Sequence, residues 1–132
     1  MSIMAVDPGR DKCGMAVLSS AGEILWRQVI ETAKLDVTAG AVRAQYSPKL
    51  LVLGNGTTSR EAEARLTDAL PDLPLKVVDE YRTTDEAKRL YWQVNPPKGW
   101  RRLLPLGMQV PPEPVDDLVA VILARRELEH GI

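Results

Sequence analysis

The amino-acid sequence predicts an α/β fold in which a mixed five-stranded sheet, three antiparallel strands followed by two parallel ones, carries helices on both faces. Two observations predict this class. The N-terminal part contains three apolar runs joined by short turns, which is typical of an antiparallel meander. Beyond it, helical and extended patterns alternate along the chain, and such alternation places parallel strands side by side beneath their connecting helices.

Each element follows from the spacing of apolar residues. The predicted strands are Ile3–Val6, Met15–Ser20, Glu23–Ile30, Lys49–Leu53 and Leu75–Val78. The predicted helices are Leu35–Gln45, Arg60–Leu70, Thr83–Val94 and Val115–Glu129. The pairs Thr58 with Glu61 and Thr83 with Glu86 have the spacing of a capping box at the start of the second and third helices. A proline-rich segment, Asn95–Pro114, is predicted as a long loop.

The composition is that of an ordinary globular domain and excludes several classes of protein. The 132 residues suffice for one domain, residues 1–132, and are too few for two. No apolar run reaches the ~18 residues of a membrane helix, and no signal peptide is predicted, so we expect a cytoplasmic protein without membrane contact. One cysteine and one histidine allow neither an internal disulfide nor a zinc-finger ligand set.

The charge is distributed unevenly although the net charge is only −1. Six positive and two negative residues between Arg82 and Arg102 give that stretch a charge of +4. An acidic cluster of Glu113, Asp116 and Asp117 follows it. A basic stretch beside an acidic cluster fits a protein that grips phosphates and also holds a cation. Ordinary scatter of surface charge is the alternative.

Acidic residues stand at the ends of three predicted elements. Asp7 ends the first strand, Glu80 follows the last strand, and Asp116 or Asp117 opens the final helix. Strands that end at one edge of a sheet would bring Asp7 and Glu80 together, and a helix that starts above that edge can add the third acid. Three converging carboxylates cannot all stay ionised without a cation nearby, and oxygen ligands without sulfur suit Mg²⁺ or Mn²⁺. The alternatives are a plain turn at Asp7 and a helix cap at Asp116 or Asp117.

Three segments resemble the YqgF/RuvX group of the ribonuclease H-like fold, which is related to RuvC-type Holliday junction resolvases. They are Asp7–Val17, the acid-Arg-Thr-Thr segment Asp79–Ala87, and Val115–Leu123. The resemblance implies a metal-dependent nuclease acting on branched DNA or precursor ribosomal RNA. It implies Asp7, Glu80 and Asp116 as catalytic metal ligands, with Asp117 as a cap or an outer acid.

A fourth segment, Gly54–Glu61, is more similar to the YqgF-like domain of the transcription accessory protein Tex. That domain is associated with nucleic acid rather than with cleavage, so a binding module with little or no catalysis is the main alternative. RuvC and ribonuclease H place an acid at the end of the fourth strand, where this chain has Gly54-Asn55, and Glu80 would take that role. An actin-like ATPase, suggested by the Asp-Pro-Gly turn and the Gly-Asn-Gly loop, would need a second such domain.

Nucleic acid is the expected partner. The candidate contacts are one aromatic ring for base stacking and five basic side chains for phosphates: Trp100, Lys12, Arg82, Lys98, Arg101 and Arg102. The backbone of the Gly54–Ser59 loop could also bind a phosphate at the start of a helix, although most such loops are plain turns.

The final helix is apolar nearly all round from Leu118 to Ala124, so it is buried in the fold or at a subunit contact, and we expect a homodimer.

Overall fold

The computed structural model describes residues 2–56, 58–80, 83–94 and 116–130. The five strands are β1 (Ser2–Asp7), β2 (Lys12–Ser19), β3 (Ile24–Glu31), β4 (Leu51–Gly54) and β5 (Leu75–Val78). The four helices are α1 (Leu35–Tyr46), α2 (Ser59–Ala69), α3 (Thr83–Val94) and α4 (Asp116–His130), and a short 3₁₀ turn, Thr32–Lys34, precedes α1. The predicted elements are therefore all present, with ends that differ by three residues at most. Arg82, Lys98, Trp100, Arg101, Arg102 and the predicted loop 95–114 lie outside the described residues.

The strands form one sheet in the order β3-β2-β1-β4-β5. The pairs β1–β2 and β2–β3 are antiparallel, whereas β4 lies parallel to both β1 and β5. This is the predicted mixed sheet, and its topology makes β1 the central strand. The carboxyl ends of β1, β4 and β5 consequently reach the same edge, at which Asp7 is the last residue of β1.

Two separate apolar cores cover the two faces of the sheet. Alternate residues of β1 point to opposite sides: Ile3 and Ala5 belong to one core, Met4 and Val6 to the other. Residues of α3 and α4 complete the first core, and residues of α1 and α2 complete the second. The side-chain alternation places Asp7 on the face covered by α3 and α4. We call this the α4 face.

Helix α4 is buried within the chain itself. Leu118, Val119, Val121 and Leu123 are each at most 4% exposed, and Ile122 packs partly buried against the same core. The expectation of a dimer rested on apolar faces of this helix that the chain would leave uncovered. Those faces are covered, so that argument for a dimer was wrong. Among the described helices, none is long and apolar enough to cross a membrane.

The two predicted capping boxes have different outcomes. Thr58 stands at the start of α2, but its side chain makes no capping hydrogen bond, so the prediction of a capping box there was wrong. Thr83, the first residue of α3, donates its hydroxyl to the carbonyl oxygen of Glu80 at 2.7 Å. Glu86 pairs with Arg126 of α4 at 2.8 Å. These α3 side chains therefore serve the segment around Glu80 and the packing of α4.

Candidate active site

Asp7 lies in a row of residues on the α4 face in which both neighbours are glycines. Asp7 pairs directly with Gly14 of β2. On its other side Val6 pairs with Leu53, so the next residue of β4, Gly54, stands beside Asp7. Because neither glycine has a side chain, the sheet leaves space on both sides of the Asp7 carboxyl. Each space is occupied by an acidic residue from a distant part of the chain.

Glu80 occupies the space above Gly54. A Cβ atom at Gly54 would lie 2.7 Å from the Cδ atom of Glu80, and one at Gly56 would lie 3.0 Å from its Oε2. Any larger residue at Gly54 would therefore collide with the Glu80 carboxylate. The two glycines of the Gly-Asn-Gly sequence thus have a structural role, because the Glu80 side chain packs directly against them.

The backbone of Glu80 is fixed on both sides. Its N–H donates to Oδ1 of Asn55 at 3.1 Å. Its carbonyl oxygen accepts from the N–H of Thr83 at 3.0 Å and from the hydroxyl of Thr83 at 2.7 Å. The Asn55 N–H in turn donates to the carbonyl of Val78, which continues the β4–β5 ladder. Asn55 therefore anchors Glu80, a role that the sequence analysis did not assign to it.

Asp116 occupies the space above Gly14. A Cβ atom at Gly14 would overlap the backbone carbonyl of Asp116 and would lie 2.6 Å from the backbone nitrogen of Asp117. The first turn of α4 thus rests directly on β2, one strand away from Asp7. Lys12, an exposed residue at the start of β2, acts electrostatically on Asp116 and favours its charged form. Of the predicted phosphate contacts, Lys12 is the one that the described residues place beside these acids.

Burial and neighbouring acids raise the pKa values of Asp7 and Asp116. Burial, then contact with the Glu80 carboxyl, and then the charge of Asp116 raise the pKa of Asp7 to about 9. Burial and the charge of Asp117 raise the pKa of Asp116, and Lys12 partly offsets that rise. In the metal-free chain, this raised pKa favours the protonated form of the Asp7 carboxyl beside Glu80. Such mutual perturbation is characteristic of functional sites.

Of the three acids predicted to converge, two are in contact. Asp7 and Glu80 are in contact, whereas Asp116 acts on Asp7 through its charge. Within the described residues, no three acidic, histidine or cysteine side chains stand close enough together to form a ready-made metal-binding group. The donors are nevertheless those that a hard cation prefers, since all are carboxylate oxygens. Oε1 of Glu80 is buried and receives no hydrogen bond from the described part of the chain, which fits an atom that could bind a cation.

Asp117 is engaged elsewhere. Its Oδ2 accepts from Nη1 of Arg27 at 2.6 Å, and its Oδ1 accepts from the N–H of Leu118 at 2.9 Å. Its side chain is only 9% exposed. A cap or an outer acid is the role predicted for Asp117, and both of its oxygens accept hydrogen bonds from protein groups. The partner Arg27 on β3 was not predicted.

The turn that follows Asp7 is pinned to the end of β3. The hydroxyl of Thr32 donates to the carbonyl of Gly9 at 2.9 Å, and its N–H donates to the carbonyl of Asp11 at 2.9 Å. A Cβ atom at Gly9 would overlap the backbone carbonyl of Lys12. The turn from Pro8 to Asp11 is therefore tightly packed, and it supports Asp7, which precedes it.

Comparisons with known proteins define the class to which this fold and site belong. The family model described as the Tex protein YqgF-like domain matches residues 1–88, so the chain belongs to this family. The matched part contains Asp7, Glu80 and the Gly-Asn-Gly loop, whereas Asp116 lies outside it. The resemblance to YqgF proteins is thereby confirmed, and the family is the one that the Gly54–Glu61 segment indicated.

A curated relative and two solved structures give the particulars. The uncharacterized protein YdcI of Bacillus subtilis (strain 168) is 31% identical over 84 residues, and the match covers 58% of this chain but only 12% of YdcI. The structure of Thermus thermophilus RuvC has a TM-score of 0.67 at 15% identity, and the match covers 98% of this chain and 92% of that one. T. thermophilus RuvC in complex with a Holliday junction substrate gives 0.62 at 14% identity, covering 99% and 97%. The ribonuclease H-like fold is therefore confirmed.

Proposed function

We propose that this chain is a metal-dependent nuclease that hydrolyses phosphodiester bonds in structured nucleic acid, either branched DNA or precursor ribosomal RNA, in the cytoplasm. One observation carries the proposal: Asp7 and Glu80 are in contact at the carboxyl edge of the sheet, with Asp116 near enough to raise the pKa of Asp7. Adjoining carboxyls repel each other when both are ionised, and a bound cation relieves that repulsion. The RuvC structure with a bound Holliday junction supports nucleic acid as the substrate class.

The residues would divide the work as follows. Asp7, Glu80 and Asp116 would hold Mg²⁺ or Mn²⁺, which when bound supplies activation of water and stabilisation of the phosphoryl oxygens. Asp7 would have to lose its proton to serve as a ligand. Asn55 keeps Glu80 in place. Lys12 provides positive charge for a phosphate beside the acids.

A binding module with little or no catalysis is the second candidate. The family match to the Tex YqgF-like domain favours it, as does the position of Asp116, which the described residues do not bring into contact with Asp7. The chain spans 12% of YdcI. In a longer protein of that kind, such a domain would contribute nucleic-acid binding. A homodimer remains a further proposal, to be decided by sedimentation equilibrium.

One panel of substrates separates the two candidates. Labelled four-way junction, flap, single-stranded DNA and single-stranded RNA are each incubated with the chain and Mg²⁺, Mn²⁺ or EDTA. Cleavage that depends on the metal supports the nuclease, and the preferred substrate assigns DNA or RNA. Binding by gel shift without cleavage of any substrate supports the module. If the chain neither binds nor cleaves any of these substrates, both proposals are overturned.

The binding affinity should fall steeply with salt. Lysines and arginines that contact phosphates release counterions, and each contact adds roughly 0.7–0.9 to the slope of log affinity against log salt. Replacing Lys98, Arg101 and Arg102 with Ala should therefore reduce that slope by about 2, as measured by fluorescence anisotropy between low and moderate salt. A control variant in which Arg43 and Lys49 are replaced should leave the slope unchanged, because both residues lie toward the edge of the sheet opposite Asp7 and Glu80. Equal slopes for the triple variant and the unmodified chain would place the nucleic acid elsewhere.

A further inference from the structure

We propose that Arg27 is a positioning residue that, by holding Asp117, directs Asp116 and not Asp117 toward Asp7 and Glu80. This inference rests on the metal site of the proposed function. It concerns two adjacent acids of identical chemistry at the start of α4, of which the sequence favours one as a ligand only by motif alignment. The arrangement of β3 and α4 supplies a physical reason for the choice.

The ion pair leaves Asp117 no free oxygen. Oδ2 is 2.6 Å from Nη1 of Arg27, and Oδ1 accepts the N–H of Leu118 at 2.9 Å. Adjacent residues on a helix point about 100° apart. Once Asp117 is fixed toward β3, the direction of Asp116 is fixed as well, and it turns away from Arg27.

A second contact fixes the same turn of the helix from the next strand. Arg27 pairs with Ala16 of β2, and Gly14, two residues from Ala16, lies under the backbone of Asp116. The ion pair and the glycine contact therefore hold the first turn of α4 from β3 and β2 at once. Gly14 alone admits the helix but does not select which acid faces Asp7. The Arg27–Asp117 pair makes that selection.

The far end of α4 offers a matched control. Lys76 of β5 pairs with Glu127 at 2.8 Å, and the side chain of Glu127 is 7% exposed, close to the 9% of Asp117. Both pairs join a strand of the sheet to a buried acid of α4. Glu127 lies ten residues beyond Asp117, about 15 Å along the helix. Loss of the Lys76 pair should therefore reduce stability without affecting the acids.

The experiment compares Arg27→Met with Lys76→Met. Each substitution keeps an apolar stem, removes one positive charge and breaks one pair on α4. Mn²⁺ affinity is measured by electron paramagnetic resonance of the free ion, without nucleic acid, and thermal unfolding is measured without metal. We expect Arg27→Met to weaken Mn²⁺ binding about tenfold, and Lys76→Met to leave it within twofold of the unmodified chain. Arg27→Lys, which restores the charge, should recover part of the affinity and remains informative if Arg27→Met does not fold.

The direction of the change distinguishes positioning from simple electrostatics. Removing a positive charge near a cation site should by itself strengthen Mn²⁺ binding, so weaker binding in Arg27→Met supports positioning. Unchanged or stronger binding in Arg27→Met overturns the proposal, and so does an equal loss in Lys76→Met. An unmodified chain that binds no Mn²⁺ would instead overturn the proposed metal site itself, and the positioning role with it.

Discussion

Replacing Asp7 with Asn should abolish cleavage and at the same time stabilise the metal-free fold at pH 8. Cleavage is lost because an amide is a weaker ligand for a hard cation than a carboxylate. The gain in stability has a separate cause. The pKa of Asp7 is raised to about 9 by burial, by contact with Glu80 and by the charge of Asp116. Asparagine has nearly the same shape and is neutral at every pH, so the variant folds without the proton uptake that the raised pKa of Asp7 requires.

The sign of the pH dependence follows from proton linkage. The folded chain binds the Asp7 proton more tightly than the unfolded chain, in which the pKa is near its ordinary value of 3.8. Between about pH 4 and pH 9 the folded state therefore holds more protons, and the contribution of Asp7 to stability falls as the pH rises. Asp7→Asn removes this slope. We expect equal stability near pH 4 and a gain for the variant that grows as the pH rises toward 8.

Thermal or urea unfolding at several pH values, with and without Mn²⁺, measures both effects. Saturating Mn²⁺ should raise the stability of the unmodified chain, because a ligand that binds only the folded state stabilises it. It should leave the stability of Asp7→Asn nearly unchanged. The difference in stability between the variant and the unmodified chain should therefore become smaller or change sign. A variant that cleaves at the unmodified rate under Mn²⁺ would refute the assignment of the site. A variant less stable than the unmodified chain at pH 8 without metal would refute the raised pKa of Asp7 beside Glu80.

Gly14→Ala should be the most destabilising small substitution in the sheet. The added methyl group would meet the backbone of Asp116 and Asp117, which cannot swing aside as a side chain can. Helix α4 would have to shift off β2, and overpacking of this kind costs about 1–3 kcal/mol, occasionally more. Gly40→Ala, in the middle of α1 with open space at its Cβ position, is the control. It should stabilise the chain by up to about 1 kcal/mol, because alanine favours helix over glycine.

Gly54→Ala separates stability from function in the same series. Its methyl group would meet the Glu80 carboxylate, the mobile end of a side chain, rather than backbone. We therefore expect a smaller loss of stability than in Gly14→Ala but a loss of Mn²⁺ affinity, since Glu80 is displaced from Asp7. Urea unfolding and Mn²⁺ titration of the three variants would test the order. Gly14→Ala as stable as Gly40→Ala would contradict the close packing of α4 on β2.

The sequence predicted the fold well because local patterns determine it. The apolar runs gave the strands and the mixed sheet, and strands ending at a common edge correctly brought Asp7 and Glu80 together. The glycine next to Asp7 could also have been found, because a hairpin centred between Arg10 and Asp11 pairs Asp7 with Gly14. These predictions depend on chain direction and periodicity, which the sequence records directly.

The contacts around the acids were not predictable in the same way. The Arg27–Asp117 pair joins residues 90 positions apart, and Asn55 meets Glu80 across 25. Nothing in the local pattern of β3 identifies the partner of Arg27, because that depends on how α4 packs. Thr58 illustrates the converse error: it has capping-box spacing, yet its side chain makes no capping bond. The spacing of a motif allows a hydrogen bond without requiring it.

The contact between Gly14 and Asp116 has a consequence for the order in which the three acids come together. More than a hundred residues separate these two, so the contact cannot form on the ribosome until the segment that contains α4 has emerged. Asp7, Glu80 and the central strands are synthesised earlier and can already pair. Non-local contacts of this kind also form slowly during refolding. A nascent or partly folded chain would therefore carry the Asp7–Glu80 pair without its third acid, and the proposed metal site would be complete only after α4 has packed on β2.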